Sequence, residues 1–260
     1  MELKHITLYH VVTKLREEFE TSFGKTIYRH CVIVSIEDSS GTVGWGEAPV
    51  DDGPWYSYET IYTTLNVYRK FIIPILKKNR VIESPWIFND IVKRVRGYKM
   101  AKAGIEAALW DLYAKLQNKP LYKVIGGVRE RVSSGVSIGI IGNMEKLLKS
   151  VEYYWGQGYQ RIKIKIAPGW DIKPIKRIRE VFKDIPLQVD ANASYSLSNM
   201  NVFKELDKYD LLMIEQPLHY EDLYEHSILQ KRLHTPISVS YTHLRAHETS
   251  LHLVCRLLLE

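Results

Sequence analysis

The alternation of apolar and polar residues is sharpest at Arg161-Ile-Lys-Ile-Lys-Ile166. Successive side chains of a β-strand point to opposite faces, so the three isoleucines share one face, and Lys163 and Lys165 share the other. Taken alone, this is also the pattern of an edge strand with solvated lysines. Residues 187–190 and 211–215 are two further apolar runs, each closed by a carboxylate and followed by a helical pattern. The three segments therefore predict strands of one sheet.

The charged residues of these segments are evenly spaced, because Lys165, Asp190 and Glu215 lie 25 residues apart. One strand, its helix and two loops of a parallel barrel take about that many residues. The spacing predicts that all three lie at the carboxyl ends of successive strands, the rim on which (β/α)8 enzymes carry their chemistry. The same period gives position 240 for the next member, which is Ser240.

The first part of the chain has a different pattern. Strands are predicted at residues 6–12, 31–36 and 43–47, forming a small antiparallel sheet. Residues 19–24 are predicted to be a loop, which either only connects two strands or lines a ligand. Helical spacing predicts three helices, at residues 58–76, 85–95 and 100–116. Small residues on the third helix predict a face that another element approaches closely; they are Ala101, Ala103, Gly104, Ala107 and Ala108.

From about residue 131 onward, strand patterns alternate with helical patterns. Strands are predicted at residues 136–140, 160–166, 187–190 and 211–215, with a further start at 236. Such alternation favours a parallel sheet covered by helices. About four and a half strand-helix units are present, whereas a closed barrel needs eight units and roughly 250 residues. The sequence therefore predicts an α/β fold with an incomplete barrel.

Composition and charge exclude several classes of protein. The 260 residues are 45% hydrophobic and 25% charged, which is typical of a globular protein. The first residues lack a signal-peptide pattern and no apolar run reaches about 18 residues, so we expect a cytoplasmic protein without a membrane partner. Cys31 and Cys255 indicate no disulfide framework. The net charge of +6 is dispersed, which argues against nucleic-acid binding and favours a small anionic substrate.

Six short motifs occur in order between about residues 6 and 237. They are Thr21-Ser-Phe-Gly24, Gly44-Trp-Gly-Glu47, Gly104-Ile-Glu-Ala-Ala-Leu-Trp-Asp111, Lys163-Ile-Lys165, Val189-Asp-Ala-Asn192 and Ile214-Glu-Gln-Pro217. Each motif alone is short, but the ordered set resembles the enolase superfamily, in its muconate-lactonising branch. Within that branch the chain is most similar to the o-succinylbenzoate synthases and N-acylamino acid racemases.

The resemblance implies three regions. Residues 1–130 would form an α+β capping domain, residues 131–237 part of a (β/α)8 barrel of about four to five units, and residues 238–260 a tail foreign to the family. It also implies that the barrel binds one Mg²⁺ and takes a small carboxylate substrate, and that the full-length parent is a homo-oligomer.

The resemblance also assigns roles to single residues. Asp190 and Glu215 match two of the family's three metal ligands. Lys165 matches the general base, and Lys163 the cation beside it. Four further residues match positions that contact substrate or the ligand shell: Asn192, Ser137, Phe19 and Tyr56.

The chemistry of these residues agrees with that family. Removing a proton α to a carboxylate builds up negative charge, which a divalent cation held by carboxylates stabilises. A lysine base must be neutral at pH 7, and a second lysine and the exclusion of water both lower its pKa. The implied activity is dehydration to o-succinylbenzoate in menaquinone biosynthesis. N-acylamino acid racemisation and dipeptide epimerisation are the alternatives; racemisation needs a second base, which the family takes from a later strand.

The end of the chain departs from the family pattern. Ser240 and Tyr241 stand where the family has an acidic pair, the first of which is the third metal ligand. The residues that follow fit no strand-helix pattern and resemble translated adapter sequence. His243 and His247 have helical spacing, but Glu248 follows the second histidine, so this is not the His-Glu-x-x-His site of metalloproteases.

Two expectations follow from that departure. With a serine at the third carboxylate position and about half of the barrel strands, the 260-residue chain is expected to be inactive itself. The alternative of another class is that the chain is a non-catalytic truncated fragment or binding module.

Overall fold

The computed structural model describes residues 1–239, which form two compact units. One unit consists of Met1–Lys14 and Tyr28–Val132, and the other of Leu15–Ile27 and residues 133–239. The predicted domain limits of 1–130, 131–237 and 238–260 stay a prediction. Over the described range, none of the helices has the length and apolar character that a membrane span requires.

The amino-terminal sheet has three strands in the order β1-β2-β3. They are β1 (Leu3–Thr21), β2 (Gly24–Asp38) and β3 (Val43–Ala48), and β3 is antiparallel to β2. The prediction of a loop at residues 19–24 is wrong, because only Ser22 and Phe23 form a turn and the other residues belong to β1 and β2. Residues 14–21 are mostly polar and lack an apolar face, so no hydrophobic pattern in the sequence predicts a strand there. Hydrogen bonds to β2 nevertheless extend β1 through these residues.

Helices follow this sheet, and all except α4 are short. They are α1 (Ile61–Val67), a π-helical turn (Tyr68–Ile72), α2 (Ile73–Lys78), a 3-10 turn (Pro85–Ile87), α3 (Phe88–Ile91), α4 (Lys99–Leu116) and α5 (Leu121–Val124). Thr60 begins α1 with a capping box, in which its side chain and that of Thr63 each accept a backbone N–H of the other residue. The helix predicted at residues 85–95 is much shorter, with only one 3-10 turn and one α turn.

The predicted small-residue face of α4 is confirmed, because β3 packs directly on it. A Cβ atom at Gly46 would lie 2.1 Å from the carbonyl oxygen of Gly104, and one at Gly44 would lie 2.2 Å from that of Ala108. The Trp45 N–H donates to Asp111 at 2.8 Å. Two of the family-like motifs, on β3 and α4, therefore form one packed pair.

The second unit contains a parallel sheet of five strands in chain order. The strands are β4 (Gly135–Ile138), β5 (Arg161–Lys165), β6 (Leu187–Asp190), β7 (Ile214–Glu215) and β8 (Ile237–Ser238). The helices between them are α6 (Met144–Gly156), α7 (Ile172–Val181), α8 (Met200–Leu206) and α9 (Tyr224–Gln230), with 3-10 turns at Leu197–Asn199 and Asp207–Tyr209. The predicted fold class, an α+β cap followed by part of a (β/α) barrel, is confirmed.

The core of this unit uses the predicted apolar face of β5. Ile162, Ile164 and Ile166 are completely buried, and they pack with Leu187 and Val189 of β6. Because neighbouring positions on a strand point oppositely, burying these isoleucines turns both lysines of β5 to the other face. The hydrophobic core thereby fixes where the charged residues stand.

Candidate active site

Lys165, Asp190 and Glu215 lie in one row across three neighbouring strands. In the register of the sheet, Lys165 is opposite Asp190, and Asp190 is opposite Glu215. The row continues at Ser238 of β8 rather than at position 240, because the connection from β7 to β8 is shorter than the two before it. Ser240 and Tyr241 lie outside the described residues, as does the histidine-containing segment after them.

The charged groups of this row form a closed set of ion pairs with Lys163, which lies on the same face of β5 as Lys165. Lys165 Nζ lies 2.6 Å from Asp190 Oδ2, and Lys163 Nζ lies 3.3 Å from the same oxygen and 2.8 Å from Glu215 Oε2. The Asp190 side chain is 2% exposed, and those of Lys165 and Lys163 are 10% and 24% exposed. Two cations and two anions balance here, as buried charges require.

The surroundings of Lys163 keep it protonated. Burial alone would lower the pKa of Lys163, but the hydrogen bond to Glu215 and the negative charges of Asp190 and Glu215 outweigh burial and raise the pKa above its ordinary value. In this arrangement Lys163 is therefore a fixed cation rather than a base.

Gln188 joins the same cluster, although sequence reasoning missed it. Its Nε2 donates to Glu215 Oε2 at 2.7 Å, and the residue lies opposite Lys163 in the register. Gln188 is 4% exposed. The missed signal was its position two residues before Asp190, which places both side chains on one face of β6.

The backbone after each carboxylate is strained. Asn192, Ala193 and Gln216 have φ angles of 46°, 63° and 42°, in the left-handed region that non-glycine residues rarely adopt. The Asn192 N–H donates to Asp190 Oδ1 at 3.0 Å, and the Ala193 N–H donates to the Gln216 carbonyl at 2.7 Å. The loop after β6 and the loop after β7 are therefore joined by a backbone hydrogen bond. Backbone strain of this kind is concentrated at functional sites.

A buried histidine supports the second of these loops. His226 Nε2 accepts the N–H of Leu218 at 3.3 Å and lies 3.4 Å from the side-chain nitrogen of Gln216. Its Nδ1 contacts the carbonyl oxygen of Asp222. These partners require the neutral ring with its proton on Nδ1. Nothing in the local sequence pattern identifies this role.

The remaining predicted site residues lie on three different segments of the chain. Ser137 lies on β4 opposite Lys163, and its hydroxyl is buried without a hydrogen-bond partner among residues 1–239. Phe19 lies on β1 beside the end of β4, where a Cβ atom at Gly139 would be 3.4 Å from its ring. Tyr56 belongs to the first unit, between β3 and α1, and is partly exposed. Their contacts with substrate stay predictions.

The oxygen atoms of the site fit a divalent cation. The carboxylates of Asp190 and Glu215 are hard ligands of the kind that Mg²⁺ prefers, and the ammonium of Lys163 already stands as a cation between them. The side-chain oxygen of Asn192 is buried and has no donor in the described part of the chain. No group of three or more His, Cys, Asp or Glu side chains suited to a metal occurs within that part.

Both halves of the chain match known domain families. Residues 4–126 match the amino-terminal domain of the mandelate racemase and muconate lactonizing enzymes, and residues 146–248 match the enolase C-terminal domain-like family. The second match ends inside the stretch 238–260, and the separation of that stretch from the family stays a prediction.

Individual relatives agree with these domain matches. The chain is 44% identical to the o-succinylbenzoate synthase of Bacillus subtilis (strain 168) over 91% of its own length and 63% of the relative's. It is 40% identical to the N-succinylamino acid racemase of Thermus thermophilus, over 86% of its length and 60% of that protein's. An enolase-superfamily structure from Listeria innocua superposes with a TM-score of 0.86 at 37% identity, over 91% of this chain and 64% of that one.

The chain thus spans less than two thirds of the length of these relatives. Within that span, both domain types are present, the amino-terminal one at residues 4–126 and the carboxyl-terminal one at residues 146–248. The chain belongs to the enolase superfamily, a family of lyases and isomerases that use a divalent metal.

Proposed function

We propose that the whole protein removes the proton next to a substrate carboxylate with the help of Mg²⁺, and that its reaction is dehydration to o-succinylbenzoate in menaquinone biosynthesis. The observation that carries this proposal is the row in which Lys165 Nζ lies 2.6 Å from Asp190, beside Glu215. The synthase from Bacillus subtilis, 44% identical, supports the choice of reaction. A homo-oligomeric parent and a cytoplasmic location stay predictions.

Each residue of the row has a separate task in this proposal. Lys165 takes the α-proton at Nζ and returns it to the departing hydroxyl, so that a C–H and a C–O bond break, a C=C bond forms and water leaves. Lys163 remains protonated and pairs with the negative charge of the substrate. Gln188 and the backbone of Asn192 hold Glu215 and Asp190 in position.

Mg²⁺, when bound, neutralises the carboxylates that now pair with the lysines and stabilises the negative charge that develops on the substrate carboxylate. Asp190 and Glu215 would hold it, with Asn192 as a neutral oxygen donor. The low exposure of Asp190 and Lys165 excludes water from the reacting atoms, which strengthens each of these electrostatic interactions.

N-acylamino acid racemisation is the second candidate, because the Thermus racemase is 40% identical. Racemisation needs a base on each side of the α-carbon. In the described range, Lys163 and Lys165 come from one face of one strand. Dehydration with departure on the same face needs only that side, whereas the second base of a racemase would come from a later strand, so the two candidates are distinguished by testing both substrates. A dipeptide epimerase is the third candidate.

The test uses a chimera, because the chain covers 63% of the Bacillus synthase. Residues 1–236 of this chain are joined to the segment of that synthase that follows the corresponding position. We expect Mg²⁺-dependent formation of o-succinylbenzoate from its hydroxylated precursor. Lys165→Ala should abolish this reaction, and also the exchange of the α-proton of an N-succinylamino acid with D₂O, while leaving Mg²⁺ binding in a calorimetric titration nearly unchanged.

The matched control is Lys173→Ala, which removes an exposed lysine at the start of α7 and should leave both reactions intact. Proton exchange that survives in Lys165→Ala would contradict the assignment of the base. Inversion of the N-succinylamino acid without any dehydration would establish the racemase instead. A folded chimera that binds Mg²⁺ and turns over neither substrate would remove the proposed function.

A further inference from the structure

The first unit contains an open groove between β1 and the helical segment that runs from the π turn through α2. Its volume is about 460 Å³, which is within the range of small-molecule sites. Half of its lining is apolar, namely Leu3, Ile6, Leu8, Ile73 and Leu76. The other half is Thr7 and four cations: Lys4, Arg69, Lys77 and Arg80.

The cations that line the groove fall in two regions. The Leu3 N–H donates to the Arg80 carbonyl at 2.8 Å, which places Lys4 near Arg80. Lys77 precedes Arg80 by three residues and belongs to the same region. Arg69 precedes Lys77 by eight residues, about 12 Å at the rise of an α-helix. Apolar side chains therefore lie between two cationic regions.

The positive charge of the groove is largely uncompensated. Within the described residues, Arg69, Lys77 and Arg80 make no ion pair, and Lys4 makes one loose pair with Glu37 at 3.7 Å. No acidic residue lines the groove. A concave surface with a single sign of charge attracts ligands of the opposite sign.

A rare local structure forms one wall. The π turn of Tyr68–Ile72 contains Arg69, and π turns inside α-helices are frequent at functional sites. A buried hydrogen bond attaches the π turn to α4, because the Tyr68 hydroxyl donates to the Ala101 carbonyl at 2.6 Å. The position of Arg69 is thus fixed by the fold.

We propose that this groove binds a small amphiphilic anion from solution, with a straight apolar body and a carboxylate or phosphate head. Ile6, Leu8 and Ile73 would contact the body, while Lys77 and Arg80 would bind the head. The site lies wholly within the first unit and uses none of the residues assigned to the proposed reaction. It would therefore be a second ligand site, independent of the reaction.

The test is calorimetric titration of the full 260-residue chain with dodecanoate, below its micelle concentration. We expect one bound dodecanoate per chain, weaker binding of octanoate because less apolar surface is buried, and no comparable binding of dodecyltrimethylammonium. Lys77→Glu should weaken dodecanoate binding about tenfold, and Arg69→Glu, in the cationic region away from the head, should weaken it by less. Their matched controls, Lys78→Glu and Lys70→Glu, change the adjacent exposed lysines that do not line the groove and should leave binding unchanged.

Several outcomes would overturn the proposal. Equal weakening by Lys77→Glu and Lys78→Glu would show diffuse attraction instead of a site. Binding to phosphatidylglycerol vesicles without binding of dodecanoate would make the surface a membrane contact. Self-association that Lys77→Glu abolishes, without dodecanoate binding, would assign the groove to a second copy of the chain. Unchanged thermal unfolding of the four variants ensures that each comparison reports on binding.

Discussion

A single imidazole ring organises the loop that carries Glu215 and Gln216. His226 is buried, and it satisfies the Leu218 N–H and contacts the Gln216 side chain through one nitrogen and the Asp222 carbonyl through the other. The contacts of His226 with Gln216 and Leu218 therefore stabilise the strained backbone conformation of Gln216. At the scale of the residue, the geometry of the site depends on a side chain that need not touch the substrate.

His226→Phe should destabilise the protein substantially. The ring is replaced by one of similar volume, but the buried N–H of Leu218 loses its acceptor and the carbonyl oxygen of Asp222 loses its donor, each at about 1–3 kcal/mol. We expect a loss of about 3 kcal/mol in urea unfolding. His219→Phe, which changes an exposed histidine of the same loop, is the control and should stay within about 0.5 kcal/mol. Equal effects would show that His226 is ordinary packing.

Asp190 is the shared partner of two ammonium groups, so its removal should be costly. Asp190→Asn leaves Lys163 and Lys165 with one carboxylate between them in a largely buried place, and we expect a loss of about 3–5 kcal/mol. Adding Lys165→Met should restore part of it, because one unpaired charge then disappears. Asp184→Asn, at an exposed carboxylate, is the control. Strict additivity of the two changes in chemical unfolding would contradict this coupling.

Glu106 of α4 predicts a dependence of stability on pH. Burial raises the pKa of Glu106 from 4.5 to about 7, against hydrogen bonds from Trp110 and Asn89 that lower it. The folded protein then keeps a proton that the unfolded chain releases, so this group makes stability fall as pH rises from about 4.5 to 7, by about 3 kcal/mol in all.

Glu106→Gln should remove that part of the pH dependence. Comparing urea unfolding of both proteins at pH 5 and pH 8 isolates it, since all other titrating groups are shared. The variant should gain stability relative to the parent at pH 8 and not at pH 5. A parallel pH profile in the two proteins would contradict the pKa of Glu106.

At the scale of the element, the contact between β3 and α4 is set by the absence of side chains. Gly46→Ala places a methyl group 2.1 Å from the Gly104 carbonyl, where only backbone can move, so we expect a loss of about 3 kcal/mol. Gly156→Ala, at the end of α6, meets nothing within 4 Å and should be neutral or stabilising by up to about 1 kcal/mol. Thermal unfolding compares them; equal loss would contradict the packing argument.

The elements nearest the site follow from local regularities that a sequence displays. The isoleucines of β5 alternate with Lys163 and Lys165, and such alternation has a period of two wherever a strand buries one face. The 25-residue spacing reflects the length of one strand-helix unit, which explains why Asp190 and Glu215 meet Lys165 in the register.

Features that depend on distant partners were not predictable in this way. The outer part of β1 is stabilised by its neighbouring strand rather than by an apolar pattern, which is why the sequence predicts a loop at residues 19–24. The row continues at Ser238 because the last connection is short, and loop lengths are not periodic. The position of Gln188 two residues before Asp190 predicts a shared face of β6 but not its hydrogen bond to Glu215. The role of His226 is revealed only by its tertiary contacts.

At the scale of the whole molecule, the second unit is built from two separate pieces of chain. Leu15–Ile27 belongs with residues 133–239, and Ser22 Oγ donates to the Ala191 carbonyl at 3.0 Å. The Ile140 N–H donates to the Glu20 carbonyl at 2.8 Å. The hairpin between β1 and β2 therefore contacts the loops after β4 and β6.

Ser22→Ala should loosen the loop after β6. Loss of a hydrogen bond worth about 1 kcal/mol predicts roughly fivefold faster amide hydrogen exchange at Ala193, whose N–H lies in that loop. Exchange at Val34, in the core of the first unit, should not change. Ser40→Ala, which removes a hydroxyl bonded to Asp38 in the first unit, is the control and should leave Ala193 unaffected. An unchanged exchange rate at Ala193 in Ser22→Ala would contradict the role of the hydrogen bond between Ser22 and Ala191.

The contacts of the hairpin also imply a delay in folding during synthesis on the ribosome. Ser22 and its acceptor Ala191 are separated by 169 residues. At the usual elongation rate of 5–20 residues per second, the hairpin emerges roughly ten to thirty seconds before that partner exists. During this interval the hairpin lacks the loops after β4 and β6 that it contacts in the folded protein. The unit therefore cannot complete its folding until those loops have been synthesised. The speed of translation through residues 28–190 thus determines how long the hairpin of the nascent chain exists without the rest of its unit.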